Sequence, residues 1–164
     1  MTFFPQGNLD ERRPPKERVL GVPYPHGRGI AFPFQVLQGR GSFEVFEWEI
    51  EDRPVVLFWD AELWAAVVYD ARVNGQVLDF FRLNRFQDGQ FFDENTGSEW
   101  SFEGVAIAGP LEGTRLTQLS EAHVSFWFAW TTFVPDTFLM GTQSAPNEGN
   151  NAGKNTLPGD QDVG

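Results

Sequence analysis

The chain has 164 residues, 41% of them hydrophobic and 21% charged, which is the composition of a globular protein with a real core. Its formal net charge is −11 and it has no cysteine. The absence of cysteine excludes disulfides, thiolate catalysis and cysteine-based zinc sites. The negative net charge disfavours nucleic acid as a partner because it would repel the phosphates. No run of 18 apolar residues is present, so no membrane-spanning helix is expected.

Residues 1–18 are predicted to form an extended N-terminal arm, because three prolines oppose regular structure there. Phe3 and Phe4 form a small apolar tip, and the segment lacks the apolar stretch of a signal peptide, which predicts a cytoplasmic protein. Residues 1–29 carry five basic and three acidic side chains, a net charge of +2, so we expect this basic front of the chain to meet an acidic partner or an anionic membrane surface; the alternative is a solvated arm. Its proposed partner-binding cations are Arg12, Arg13, Lys16 and Arg18.

The body of the chain, residues 19–140, has the pattern of short strands. Apolar and acidic residues alternate over 42–50, where Phe46 breaks the alternation and predicts either a bulge or a strand buried on both faces. A buried strand is predicted over 55–59, and Asn74-Gly75 is a strong hairpin signal.

Turn signals continue to punctuate the rest of the body. Asp88-Gly89 and Asn95-Thr96-Gly97 predict turns, and a further strand is predicted over 114–119. Turns every 8–12 residues favour an all-β fold, either a sandwich or a partly open barrel of short antiparallel strands. One short C-terminal helix is predicted, capped by Ser120 and running to Pro135.

Residues 141–164 are predicted to be an extended polar tail. The segment is rich in Gly, Asn, Pro and Asp and buries too little apolar surface to offset the entropy of ordering. We therefore expect another chain to hold it, with Asn150, Asn151 and Leu157 as contacts.

A run of specific motifs crosses the second half of the body. The motifs are Tyr-Asp at 69–70, Thr-Gly-Ser-x-Trp at 96–100, Gly-x-Ala-x-x-Gly-x-Leu-x-Gly-x-x-Leu at 104–116, Trp-x-x-Trp at 127–130 and Pro-Asp-Thr at 135–137. With these motifs the chain resembles the DUF3179 family of bacterial and archaeal proteins over roughly residues 19–140. The activity of that family is undefined, so the resemblance implies a fold and no reaction.

The chain departs from the family pattern at the positions suited to metal or thiol chemistry. Family members resemble Pro-Val-x-Val-x-Tyr-Cys-Pro-Leu-x-Gly-Ser-Ala before the Tyr-Asp motif, with a His-Glu pair upstream. Here Asp60 occupies the first of two Cys positions, Leu63 occupies the second, and residues 38–46 contain no His. The resemblance therefore implies a family domain that is reused as a scaffold.

Several polar residues are candidates for a site, each with a structural alternative. Asp60 and Glu62 could form an acid–base pair on one strand face, or simply lie in a solvated turn. His26 and His123 lack the spacing of metal ligands, so no metal and no cofactor are expected. Four residues are candidates for the lining of a ligand pocket: Asp60, Asp93, Ser98 and Trp100. The structural alternative is that the polar side chains stabilise turns and that the tryptophan fills the core.

Together these observations predict a non-catalytic accessory subunit that binds other proteins of a larger, membrane-bound complex, peripherally and on the cytoplasmic side. A bacterial photosynthetic reaction centre–light-harvesting complex is the first hypothesis for that complex and a respiratory complex the second, although no residue specifies either. One alternative is an enzyme or small-ligand binder that uses Asp60, Glu62 and Asp93. Another is a secreted or periplasmic binding module.

Overall fold

The computed structural model describes residues 10–82 and 91–141, together with the backbone of Asn155–Thr156. This part of the chain consists mainly of short strands, which confirms the predicted all-β class. The strands are β1 (Arg18–Pro23), β2 (Arg28–Pro33), β3 (Phe43–Ile50), β4 (Arg53–Asp60), β5 (Ala65–Asp70), β6 (Arg72–Val73), β7 (Gln76–Val77), β8 (Phe80–Arg82), β9 (Phe91–Asp93), β10 (Glu99–Trp100), β11 (Ala106–Ala108), β12 (His123–Phe126), β13 (Asp136–Leu139) and β14 (Asn155–Thr156). The helices are α1 (Phe34–Arg40), α2 (Trp127–Phe133) and a 3-10 turn at Pro25–Gly27.

The described strands form three four-stranded sheets and one two-stranded hairpin. The sheet orders are β12-β1-β2-β13, β11-β10-β9-β8 and β14-β3-β4-β5, and β6 pairs with β7. Pairing is antiparallel except between β2 and β13 and between β3 and β14. Over the residues described, no sheet closes into a barrel, and neither helix has the length and apolar composition needed to cross a membrane.

The contacts divide the chain into two compact units. The first unit combines Met1–Gly39 with Ser120–Gln143, and the second combines Arg40–Leu119 with Ser144–Gly164. The body predicted over residues 19–140 thus contains parts of both units. Each unit has its own sheet or sheets and its own apolar cluster.

In the first unit, helix α2 packs on one face of the β12-β1-β2-β13 sheet. Trp130 lies against Gly21, where an added Cβ would come within 2.3 Å of the indole ring, so only glycine allows this approach. The Trp130 Nε1–H donates to Thr137 Oγ1 of β13 over 2.8 Å. The buried apolar cluster under the helix comprises Val19, Ala31, Trp127, Trp130, Val134 and Leu139.

In the second unit, the core lies between the sheet that contains β4 and the sheet that contains β9. Phe58 of β4 stacks on Phe91 of β9, with ring centroids 4.0 Å apart. Strand β3 is buried on both faces and pairs with β4 in unbroken register, so Phe46 marks a two-sided strand and not a bulge. The predicted buried strand over 55–59 is confirmed as the centre of β4.

The turn predictions that fall on described residues are confirmed. Asn74 and Gly75 have φ of 51° and 79° and connect β6 to β7 as a two-residue hairpin, which is the backbone geometry that Asn-Gly favours. The Asn95-Thr96-Gly97 turn joins β9 to β10, with Gly97 at φ 74°. The predicted Asp88-Gly89 turn lies outside the described residues.

Three element predictions are corrected by the structure. The helix expected from Ser120 begins only at Trp127, because residues 123–126 extend and pair with β1 as strand β12. The sequence interpretation missed helix α1, whose Phe34 and Leu37 are buried at helical spacing. The strand expected over 114–119 consists only of isolated bridges at Arg115 and Gln118.

Candidate functional site

Asp60 and Glu62 lie at a strand end and in the turn that follows it, which is the structural alternative given above for this pair, and not side by side on one strand face. Asp60 is the last residue of β4, and its Oδ1 accepts hydrogen bonds from the backbone N–H of Glu62 (2.9 Å) and of Leu63 (3.2 Å). Glu62 lies exposed in the turn that leads to β5. Asp60 thus stabilises a turn, which is a common role for aspartate.

Asp93, Thr96, Ser98 and Trp100 are brought together, but in a closed network rather than an open pocket. Asp93, Ser98 and Trp100 are fully buried. The Asp93 carboxylate accepts from the backbone N–H of Thr96, from Thr96 Oγ1 (2.9 Å) and from Trp100 Nε1 (2.9 Å). Both carboxylate oxygens are therefore engaged by neighbours within the same turn and strand.

The hydrogen bonds of the two hydroxyl groups in this network have a defined donor and acceptor. Thr96 Oγ1 uses its proton on Asp93, so the 2.7 Å contact between Ser98 Oγ and Thr96 Oγ1 has the serine as donor. Ser98 Oγ in turn accepts from the backbone N–H of Leu111 over 3.0 Å. Each hydrogen bond in this series thus donates toward Asp93. Within the described residues, Ser98 gives its proton to Thr96 and has no base beside it that would activate it as a nucleophile.

Two further carboxylates, which the sequence analysis did not single out, are used inside the second unit. Glu44 is 3% exposed and its Oε2 accepts from Arg82 Nη2 over 2.7 Å. The Oε2 of Glu47 accepts from the backbone N–H of Phe80 over 2.9 Å. Both acids therefore connect β3 to β8, and the two-sided character of β3 was the only sequence signal for them.

Tyr69 forms another internal polar contact in the second unit. Its hydroxyl donates to the carbonyl oxygen of Phe102 over 2.7 Å, and its ring lies against Gly104, where an added Cβ would come within 2.7 Å. Burial raises the pKa of the Tyr69 phenol, and the negative charge of Glu103 adds to the rise. The phenol is thus held neutral as a hydrogen-bond donor.

We expect this contact to make the protein sensitive to alkaline pH. Because the folded-state pKa of Tyr69 lies above its unfolded value of about 10, the stabilisation is complete below pH ~10 and is lost as the pH rises above that value. Urea unfolding between pH 8 and 11 tests this. Tyr69→Phe should be less stable than the wild type at pH 8 and should show a flatter loss of stability above pH 10. An equally steep loss in the variant would contradict the assignment.

The two histidines lie in different settings. His26 is exposed in the 3-10 turn, with φ of 67°. His123 is on β12, where its ring contacts the rings of Trp130 and Phe133 at centroid distances of 5.6 and 6.1 Å. Across the described residues, no three His, Asp or Glu side chains are grouped as a metal would require.

The basic residues of the N-terminal segment fall into two classes. Arg12 pairs with Asp10 (2.8 Å), donates to the carbonyl oxygen of Thr137 and lies over the ring of Trp127. Arg13 pairs with Glu17 over 2.6 Å, which raises the pKa of its guanidinium. Lys16 and Arg18 are exposed and have no ion pair or side-chain hydrogen bond with the rest of the described chain. Among the four cations predicted for the arm, Lys16 and Arg18 are thus the two that have no acidic partner within the described residues.

The segment that carries these cations lies against helix α2 and continues into β1. The backbone N–H groups of Trp127 and Phe128 donate to the carbonyl oxygens of Glu17 (2.8 Å) and Pro15 (2.9 Å). Trp127 Nε1 donates to the carbonyl oxygen of Asp10 over 2.8 Å. The predicted arm contacts Phe3 and Phe4, and the tail contacts Asn150, Asn151 and Leu157, lie outside the described residues.

The same edge of the first unit exposes apolar side chains. Strand β12 is the end strand of its sheet, and it leaves Val124 48% and Phe126 45% exposed. Phe126 stacks on Phe128 with ring centroids 6.2 Å apart, and Arg18 is the register partner of Phe126 on β1. We call Lys16, Arg18, Val124 and Phe126 the β12 edge patch.

Comparison with known proteins gives a match to one family model and no match to an individual protein. No curated protein matches, and no solved structure matches. The family model that matches is described as a protein of unknown function (DUF3179), and the match covers residues 1–137. The match includes the motifs that form the Asp93 network and the Trp130–Thr137 contact. The chain therefore belongs to the DUF3179 family.

Proposed function

We propose that this chain is a non-catalytic accessory subunit that binds other protein subunits and helps to hold together a larger, membrane-bound complex. The observation that carries the proposal is the contrast between the buried polar residues and the exposed residues of the β12 edge patch. The buried polar groups bind one another, whereas the β12 edge patch presents apolar and cationic groups to solvent. Exposed aromatic and arginine side chains are typical of protein interfaces.

The alternative of a small-ligand site or an acidic active site has less support. A general acid or base must reach its substrate, and Asp93 is fully buried with both oxygens engaged. Asp60 is engaged by two backbone N–H groups of its own turn. The peripheral, cytoplasmic-side location and the photosynthetic complex remain predictions.

Limited proteolysis tests the proposal. Trypsin digestion followed by mass spectrometry would compare the isolated chain with material prepared gently from the native host. We expect cleavage after Lys154 in the isolated chain and protection of that bond in the native material, because partner subunits would cover the tail. Arg72, which is exposed in the second unit, gives a cleavage rate for comparison. Equal cleavage after Lys154 in both preparations would contradict the proposal.

A further inference from the structure

We infer that the outer edge of β12 binds an extended, acidic segment of a partner protein as an added antiparallel or parallel strand. The inference rests on the proposed function, for which it names the docking site and the chemistry of the partner. It is carried by the backbone of β12, by the side chains beside it and by the charge of the neighbouring segment.

The backbone of β12 has unused hydrogen-bonding groups on its outer side. Trp127 donates its N–H to the carbonyl oxygen of Glu17, and β1 and β12 continue from there in antiparallel register. Since the hydrogen-bonded pairs in such a ladder alternate, Ser125 and His123 exchange hydrogen bonds with β1. The N–H groups of Val124 and Phe126 therefore point away from β1, where a further strand would accept them.

The side chains of β12 favour an apolar residue at alternate positions of the added strand. Val124 and Phe126 are two residues apart and lie on the same face of the sheet as Leu20 and Arg18, their register partners. Both are nearly half exposed at the sheet edge. A strand added beside them would bury these two side chains against its own same-face residues.

The charge at this edge selects an acidic partner. Arg18 is opposite Phe126 on the neighbouring strand. Lys16 lies two residues before Arg18, beside the start of α2. Neither has a carboxylate partner among the described residues, whereas Arg12 and Arg13 do. Carboxylates at the end of an added strand beyond Phe126 would pair with these two cations.

A membrane surface fits this edge less well than a strand. The outward N–H groups of Val124 and Phe126 need hydrogen-bond acceptors, and the apolar region of a bilayer offers none. Two cations also provide only weak attraction to anionic lipid. A membrane is therefore the competing outcome of the test.

Hydrogen exchange at single-residue resolution tests the strand addition. The isolated full chain would be compared with the partner complex prepared from the native host in mild detergent. We expect the amides of Val124 and Phe126 to exchange at least about tenfold more slowly in the complex, because the added strand accepts them. The amides of His123 and Ser125, already bonded to β1, serve as internal references and should change little. No slowing at Val124 and Phe126 would overturn the inference.

Carbodiimide coupling tests the acidic character of the partner. This reagent joins a lysine amine to a carboxylate that is already in contact with it, with loss of one water. We expect an amide between Lys16 and an Asp or Glu of a partner protein in the native complex. Coupling of Lys16 only to this chain's own carboxylates would overturn the charge argument. Slowing of the two amides by vesicles of phosphatidylglycerol, with none in the detergent-solubilised complex, would assign the edge to a membrane instead.

Two variants separate this inference from the proposed function. Val124→Pro removes an outward N–H and leaves the pairing with β1 in place, a position where edge strands accept proline. Lys16→Glu with Arg18→Glu reverses the charge and leaves every residue of β12 unchanged, in case the proline variant does not fold. Arg72→Glu with Arg115→Glu makes the same charge change on exposed arginines of the second unit.

We expect either edge variant to reduce the amount of partner protein that copurifies with the chain at least about tenfold. The second-unit variant should leave that amount unchanged. Full recovery with both edge variants would overturn the inference and leave the proposed function in place. Recovery of no partner with the wild-type chain would overturn the proposed function itself.

Discussion

Asp93→Ala is expected to destabilise the second unit by about 2–4 kcal/mol, because three hydrogen-bond donors would lose their common acceptor. The indole N–H of Trp100 would be left unpaired in a fully buried position, and the N–H and hydroxyl of the half-buried Thr96 would lose the same acceptor. Leaving a buried donor unpaired costs about 1–3 kcal/mol, and the two donors of Thr96 cost less because that residue is partly open to water. Urea unfolding at neutral pH measures the change.

Two variants control this experiment. Glu94→Ala removes an exposed carboxylate from the adjacent position and should change the free energy of unfolding by less than about 0.5 kcal/mol. Asp93→Asn keeps the size of the side chain but turns one acceptor into a donor facing other donors, so it should be nearly as destabilising as alanine. A loss below about 1 kcal/mol for Asp93→Ala would show that the network does not support the turn.

Gly21→Ala is expected to destabilise the first unit by about 3 kcal/mol, at the upper end of the cost of overpacking. The new methyl group would lie 2.3 Å from Trp130 Cε3, well inside van der Waals contact. The indole cannot move aside freely, because it is 1% exposed and its N–H is bonded to Thr137. The shift in the urea midpoint of the full chain, followed by tryptophan fluorescence, measures the effect.

Gly39→Ala is the matched control for this prediction. Gly39 is an exposed helical glycine of α1, and no atom lies within 4 Å of where its Cβ would be. Alanine there should stabilise the protein by up to about 1 kcal/mol, since it lowers the entropy cost of forming the helix. If Gly21→Ala were as stable as Gly39→Ala, the close packing of Trp130 on β1 would be wrong.

The elements that could be predicted from the sequence are those with a local cause. The Asn74-Gly75 hairpin follows from the φ values that these two residues tolerate. The two-sided burial of β3 was visible in Phe46, which breaks the alternation of its neighbours. The turn and core alternative for Asp93, Thr96 and Ser98 also depends on short-range hydrogen bonds, and the structure contains such bonds.

The elements that could not be predicted depend on distant partners. Residues 123–126 become a strand because β1, about a hundred residues earlier in the chain, offers them an edge; nothing in their own pattern opposes the helix. The same pairing produces the β12 edge patch, since the cations and the apolar residues come from opposite ends of the sequence. The pairing of Arg12 and Arg13 with nearby acids also separates them from Lys16 and Arg18, which composition alone had grouped together.

The most direct test of the central claim is the mass of the particle that contains this chain in gently prepared native material, measured by native mass spectrometry. A subunit of a larger complex should appear with other proteins in fixed stoichiometry and should be released intact on activation in the gas phase. We expect no substantial population at the mass of the free chain. A chain that appears only at the mass of the free chain, from cells that contain it at its natural level, would contradict the claim that it is a subunit.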